Sequence, residues 1–124
     1  MAQSHAIVLF AHGAREPEWA RPLERIAQSL AKRRAGSVVR IAYLELMRPS
    51  LGEAVAVLAA EGVARVAVVP VFLGQGGHLR DDLPKLVAAA QAAHPGVTIE
   101  AQPAIGEQIE VIEAIAGAIA ERTR

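Results

Sequence analysis

Two histidines and one glutamate are the residues of this sequence best suited to metal and proton chemistry. His12 follows the apolar run "AIVLF", His78 lies within "VFLGQGGHLRDDLP", and Glu45 follows "AYL". A neutral imidazole binds divalent transition metals and titrates near neutral pH, and a carboxylate can share such a site. These three side chains therefore predict metal handling or proton transfer, if the fold brings them together.

Four apolar runs alternate with segments of helical period, and these elements must position the three side chains. Strands are predicted at residues 6–10, 38–44, 65–72 and 97–101, and helices at 18–34, from 49–50 to 62, at 83–93 and at 107–121. Strand followed by helix, four times over, predicts an α/β fold. We expect a flavodoxin-like, four-stranded parallel sheet in the order 2-1-3-4 with helices on both faces.

This strand order makes strands 1 and 3 neighbours at the topological switch point. Ligands of such folds bind in the crevice at the carboxyl ends of the strands there. His12 follows strand 1 and His78 follows strand 3, so the order predicts that the two histidines converge. Glu45, after strand 2, is expected on the same rim.

Each of these residues also has a structural alternative. His12 precedes Gly13 and could be a turn residue, His78 could face solvent in a flexible loop, and Glu45 could be a surface charge. Gly76 and Gly77 could let the backbone approach a flat ligand, or could form a plain turn.

Three arginines lie near predicted strand ends and could bind carboxylates through paired hydrogen bonds. They are Arg15, Arg48 and Arg80. Each could equally be a solvated surface charge. Asp81 and Asp82 are interpreted as capping residues of the third helix, with the histidine loop before them.

Composition narrows the classes of protein. The 124 residues predict one domain, spanning 1–124. A net charge of zero argues against nucleic-acid binding, which needs a surplus of Lys and Arg. The absence of cysteine excludes disulfides and thiolate chemistry. No apolar stretch is long enough for a membrane span, and the first residues do not resemble a signal peptide, so we expect a cytoplasmic protein without a membrane partner.

Three segments of the chain resemble the marker segments of the short CbiX-type sirohydrochlorin chelatases, which are class II, ATP-independent tetrapyrrole chelatases. The segments are "LFAHGAREPEW", "AYLELMRPSL" and "VPVFLGQGGHLRDDLP". The resemblance implies a lyase that inserts Co²⁺ or Fe²⁺ into sirohydrochlorin, for cobalamin or siroheme biosynthesis, without a nucleotide; related proteins insert Ni²⁺. By position, His12 and His78 would be the catalytic, metal-handling histidines, and Glu45 would assist. Ala14 stands where the family often has serine.

The resemblance also implies a homodimer, because members of this length correspond to half of the longer two-domain chelatases. A second wall is physically reasonable for a ligand as large as a tetrapyrrole. Arg15, Arg48, Arg80, Gly76 and Gly77 are the candidates to hold its rim. A non-catalytic metal chaperone or tetrapyrrole-binding module remains the alternative. A histidine phosphatase is disfavoured, because its motif has arginine directly before the histidine and this chain has alanine.

Overall fold

The structure, a computed structural model, describes residues 5–74 and 76–124 without the side chain of His78. The strands are β1 (His5–Ala11), β2 (Val38–Tyr43), β3 (Arg65–Pro70) and β4 (Thr98–Ala101). The helices are α1 (Arg21–Arg33), α2 (Leu51–Ala60), α3 (Gly77–Ala93) and α4 (Ile109–Arg122). Two 3-10 turns, Pro17–Ala20 and Ile105–Glu107, precede α1 and α4.

The sheet is parallel and has the order β2-β1-β3-β4, which confirms the predicted fold. Phe10 of β1 lies between Ala42 of β2 and Pro70 of β3 in the register. The carboxyl ends of the three strands therefore meet at one edge, as the predicted site requires.

Helices cover both faces of the sheet, also as predicted. On one face α2 and α3 pack over β1 and β3, and Phe10, Leu58 and Val68 are fully buried there. On the other face α1 places Leu23 against Leu9 in a smaller core. Side chains alternate between the two faces along each strand, so β1 contributes to both cores.

The prediction for the third helix was wrong at its start. The helix begins at Gly77 rather than Leu83, and Pro84 lies inside it. Leu79 and Leu83 are one turn apart and both buried, at 4% and 3% exposure. Burying a leucine stabilises by about 1.5–3 kcal/mol, more than the roughly 1 kcal/mol that a helical glycine costs. Asp81 and Asp82 are consequently interior helical residues, not caps.

The last helix forms close to its predicted bounds but is not packed as its pattern suggests. None of the residues 109–122, all of which the structure describes, is buried. The stripe of Ile109, Ile112, Ile115 and Ile119 stays exposed on α4. Within residues 5–74 and 76–124, no helix has both the length and the apolar character needed to cross a bilayer.

Candidate functional site

His12 and Glu45 form a side-chain pair at the carboxyl edge of the sheet. His12 is the first residue after β1, and Glu45 is the second after β2. The Nε2 atom of His12 lies 3.1 Å from Oε1 of Glu45. Both side chains remain about half exposed, at 53% and 55%. The structure therefore brings together two of the three residues on which the predicted site rests, and leaves them open to a ligand.

Backbone contacts hold this pair in place. The amides of Leu44 and Glu45 donate to the carbonyls of Ala11 and His12, at 2.8 and 3.0 Å. Gly13 has a φ of +97°, and a Cβ there would overlap the Glu45 carbonyl oxygen. Only glycine takes this conformation readily and allows so close an approach. Gly13 therefore forms the turn after β1, and His12 beside it belongs to the candidate site.

The residue next to Glu45 sits in a strained turn. The amide of Met47 donates to the Glu45 carbonyl at 2.8 Å, which closes a three-residue turn around Leu46. Leu46 has a φ of +66°, and γ-turns of this sign are rare and strained. The turn presents the Leu46 side chain to solvent at 59% exposure, immediately beside the pair.

The loop after β3 forms a third wall of the site, beside the loops after β1 and β2 that carry His12 and Glu45. The Phe72 ring meets the His12 ring edge to face, with 6.5 Å between centroids. Gly106 donates its amide to the Phe72 carbonyl at 2.9 Å, and a Cβ on Gly106 would overlap the backbone of Phe72 and Leu73. The sequence analysis missed Gly106, because nothing in a local pattern links residue 106 to residue 72.

The second predicted histidine lies in the first turn of α3, which follows β3 along the chain. Its side chain is outside the described part of the structure, so the convergence of His78 with His12 stays a prediction. Gly76 is the N-cap of α3 and Gly77 its first residue. No atom of the described residues lies within 4 Å of a Cβ built on either glycine, so packing against that part of the chain does not demand glycine there. Arg80 is exposed one turn later, with its amide bonded to the Gly76 carbonyl.

Of the other predicted arginines, Arg48 has a partner within the chain. Its guanidinium pairs with the Glu53 carboxylate through two nitrogens. Hydrogen bonding from Arg48, and next from the Ser50 amide, lowers the pKa of Glu53 from 4.5 to about 2. Ser50 and Glu53 also form a capping box at the start of α2. Arg48 is therefore paired at the start of α2, whereas Arg15 lies exposed in the segment after Gly13.

The paired donor atoms have a separation that suits a shared metal ion. Ligand atoms about 2.1 Å from one metal lie roughly 3.0–3.4 Å apart for angles between about 90° and 109°, and the observed distance is 3.1 Å. Among the described residues no group of three His, Asp or Glu side chains is assembled. The pair can thus hold a metal loosely and leave most of its coordination positions for another ligand.

Comparisons with known proteins find a matching family and similar sequences and structures. The CbiX family matches residues 6–122. The sirohydrochlorin cobaltochelatase of Methanosarcina barkeri is 33% identical over 88 residues, which cover 71% of this chain and 68% of that protein. A CbiX protein from Marinobacter aquaeolei VT8, assigned to cobalamin biosynthesis, has a crystal structure with a TM-score of 0.84 and 36% identity, over 95% of this chain and 96% of that one. The sirohydrochlorin chelatase SirB of Bacillus subtilis subspecies spizizenii, whose crystal structure is in complex with cobalt, matches with a TM-score of 0.77 and 26% identity. That match covers 95% of this chain and 50% of the SirB chain.

Proposed function

Because the chain belongs to the CbiX family, we propose that it is a lyase that inserts a divalent metal ion, Co²⁺ or Fe²⁺, into sirohydrochlorin without a nucleotide. The observation that carries the proposal is the His12–Glu45 pair, 3.1 Å apart and open to solvent at the strand ends. The cobaltochelatase activity named for the M. barkeri relative and the cobalt bound to SirB support this choice of substrates. Ni²⁺ is a third candidate metal, because the same donor types accept it.

In the proposed reaction one metal ion replaces two N–H protons of the macrocycle. His12 Nε2 and Glu45 Oε1 hold the ion first, with His78 as the proposed third donor. Such a shell is incomplete, unlike the four-ligand shell of a structural zinc site, so ring nitrogens can take over the coordination. The imidazoles of His12 and His78, once released from the metal, can each accept one of the two displaced ring protons as general bases.

The surroundings of the pair suit a flat ligand with an apolar face and charged edges. Leu46 and Leu73 are 59% and 74% exposed on the two loops that flank His12. Apolar side chains beside a few polar groups fit a ligand that has an apolar face. We assign Arg15 and Arg80 to the carboxylates of the macrocycle, with Gly76 and Gly77 allowing a close backbone approach.

We further propose that the chain works as a homodimer in the cytoplasm. His12 and Glu45 are about half exposed at the strand ends, and a second copy would supply a further wall for a tetrapyrrole. Both points stay predictions. Sedimentation of the purified protein tests the first, and fractionation of cells that express the tagged chain tests the second.

The decisive experiment separates turnover from binding. Purified protein is incubated with sirohydrochlorin and, in parallel, Co²⁺, Fe²⁺ or Ni²⁺, and the metallated product is followed by absorbance under catalytic conditions. We expect many turnovers per chain with at least one metal. Trp19, the single tryptophan, is 43% exposed beside the strand ends, so quenching of its fluorescence reports binding independently. Quenching without turnover would favour the non-catalytic module.

The role assigned to His78 has a test of its own. His78→Ala should abolish metalation and leave the far-UV circular dichroism unchanged, because the side chain is proposed as a ligand rather than as part of the core. His5→Ala is the matched control, because His5 is exposed at the opposite end of β1. Near-normal turnover of His78→Ala would remove His78 from the mechanism.

A further inference from the structure

Leu46 has a backbone conformation that is unfavourable for its residue type. In the part of the chain that the structure describes, it is the one residue other than glycine with a positive φ, +66°. A positive φ brings Cβ too close to the following carbonyl oxygen, so glycine and, less often, asparagine or aspartate are the usual residues there. Leucine does not favour this conformation by itself, so its surroundings must impose it.

Backbone hydrogen bonds fix the chain on both sides of Leu46. Before it, the amide of Glu45 donates to the carbonyl of His12 at 3.0 Å. After it, the carbonyl of Pro49 accepts from the amide of Tyr43 at 2.9 Å. Only residues 46–48 lie between these two fixed points. The chain must therefore reverse within a very short stretch, and the turn at Leu46 makes this reversal.

The peptide group between Glu45 and Leu46 is held in one orientation. Its carbonyl oxygen accepts the amide of Met47 at 2.8 Å. The same oxygen lies so close to Gly13 that a Cβ there would overlap it. Rotation of this peptide, which would relax Leu46, would break the hydrogen bond and separate the oxygen from Gly13. The contacts that retain the strain are thus among those that place Glu45 beside His12.

The turn sends two neighbouring apolar side chains into different surroundings. Met47 is half-buried and packs against the core that contains Leu23 and Tyr43, whereas Leu46 is 59% exposed. A single exposed leucine is common on protein surfaces. A leucine that a strained backbone holds exposed is not, and strain of this kind clusters at sites that bind ligands. The position of Leu46 therefore indicates contact with a ligand.

We propose that Leu46 is a specificity-determining residue whose side chain lies against the apolar face of the macrocycle. Its neighbour Glu45 holds the metal ion with His12, so a ring that takes up this ion must lie over the same loop. The contact removes the leucine from water and favours a flat, apolar ring over other polycarboxylates. This inference rests on the proposed function, because it concerns the substrate of that site.

Two matched substitutions measure the strain without any ligand. Leu46→Gly and Leu73→Gly remove the same side chain, and both leucines are mostly exposed, at 59% and 74%. Both changes add the same freedom to the unfolded chain, so their difference reports the native backbone. Relief of the positive φ should make the unfolding equilibrium constant of Leu46→Gly about 5–30-fold smaller than that of Leu73→Gly in urea denaturation. Equal destabilisation would show that Leu46 is not strained and would overturn the proposal.

Two further measurements separate contact with the macrocycle from a purely structural role. Leu46→Gly should raise KM for sirohydrochlorin about 10-fold, because an apolar contact is lost, and should leave the Co²⁺ affinity in isothermal titration unchanged. Leu46→Met is apolar and similar in volume, so it should keep the native KM. Leu46→Asn tolerates a positive φ but is polar, so it should raise KM as glycine does. Val57→Ala is the control for activity, because Val57 is 53% exposed on α2, outside the candidate site.

The outcomes distinguish this inference from the proposed function. If the native chain metallates sirohydrochlorin and Leu46→Gly has the native KM, the role of Leu46 is wrong and the function stands. A fall in Co²⁺ affinity that matches the rise in KM would also overturn the proposal, because Leu46 would then act through Glu45. If the native chain neither metallates sirohydrochlorin nor shows quenching of Trp19 fluorescence by it, the proposed function fails as well.

Discussion

At the scale of single residues, His12 and Glu45 lie on two loops that backbone hydrogen bonds join directly. Two amide hydrogen bonds join their loops, and both side chains are exposed, so the pair can separate slightly around an ion without disturbing the core. A donor pair held on rigid strand ends is pre-organised for metal binding, which reduces the entropy that an ion must remove on binding.

Removing either donor should damage the chemistry and spare the fold. We expect His12→Ala to lower kcat/KM for metalation at least about 100-fold, since even indirect partners of metal sites typically contribute 10–100-fold. Glu45→Gln should retain a hydrogen bond to His12 but weaken metal binding, because it removes the negative charge. Isothermal titration with Co²⁺ and steady-state assays measure the two effects, with His5→Ala as the control. Unchanged Co²⁺ affinity in both variants would show that the metal binds elsewhere.

Gly13→Ala should affect stability and activity together. A non-glycine residue at positive φ costs roughly 1–2 kcal/mol, and the added Cβ would also overlap the Glu45 carbonyl. We therefore expect the free energy of unfolding to fall by more than about 1–2 kcal/mol, with loss of metalation as Glu45 shifts. Gly36→Ala, where a Cβ meets open space, is the control. Urea denaturation gives the free energy of unfolding of each variant. A similar loss of stability in Gly13→Ala and Gly36→Ala would contradict the close approach at Gly13.

At the scale of elements, the site depends on loops that are fixed from a distance. The segment after β4 reaches back through Gly106 to the loop after β3, so the fourth strand contributes to the site without supplying a side chain to it. The start of α2 is fixed separately by its capping box and by the Arg48–Glu53 pair. The Gly106 contact and the Arg48–Glu53 pair can each be tested by a substitution that leaves His12 and Glu45 unchanged.

Gly106→Ala should displace Phe72 and Leu73 from the side of His12. We expect KM for the tetrapyrrole to rise, because the third wall of the site moves, together with a clear loss of stability. The comparison is Gly117→Ala in α4, where a Cβ meets open space and alanine should stabilise the helix by up to about 1 kcal/mol. Thermal unfolding and substrate titration of both variants check this. A Gly106→Ala protein with native KM would remove that contact from the site.

The Arg48–Glu53 pair predicts a particular pH dependence. The pKa of Glu53 is lowered to about 2 in the folded chain, so its stabilising effect is present above its ordinary value near 4.5 and fades as the pH falls toward 2. The stability difference between the native chain and Glu53→Gln should therefore shrink between about pH 6 and about pH 3, and high salt should reduce it because the pair is exposed. Denaturation midpoints at the two pH values test this. A constant difference would mean that the pair does not form in solution.

At the scale of the whole molecule, the proposed dimer predicts that activity depends on protein concentration. If a second copy supplies the opposite wall of the site, specific metalation activity should fall when the protein is diluted below the dissociation constant of the dimer. Assays over several decades of protein concentration, compared with masses from sedimentation, make the test. Activity per chain that stays constant while the dimer dissociates would place the complete site in one copy.

The sequence by itself determined the order of the elements, the parallel sheet and the strand-end positions of His12 and Glu45. These follow from local periodicity and from the handedness of strand–helix–strand connections, both of which can be read along the chain. Tertiary structure alone decided the rest. Helix α3 begins at Gly77, so that Leu79 is buried, and Gly106 bonds to Phe72, 34 positions away in sequence. Glu53 pairs with Arg48, and the isoleucine stripe of α4 stays exposed. Each of these depends on which surfaces meet in space, and a periodic pattern states only that a surface is apolar, not what covers it.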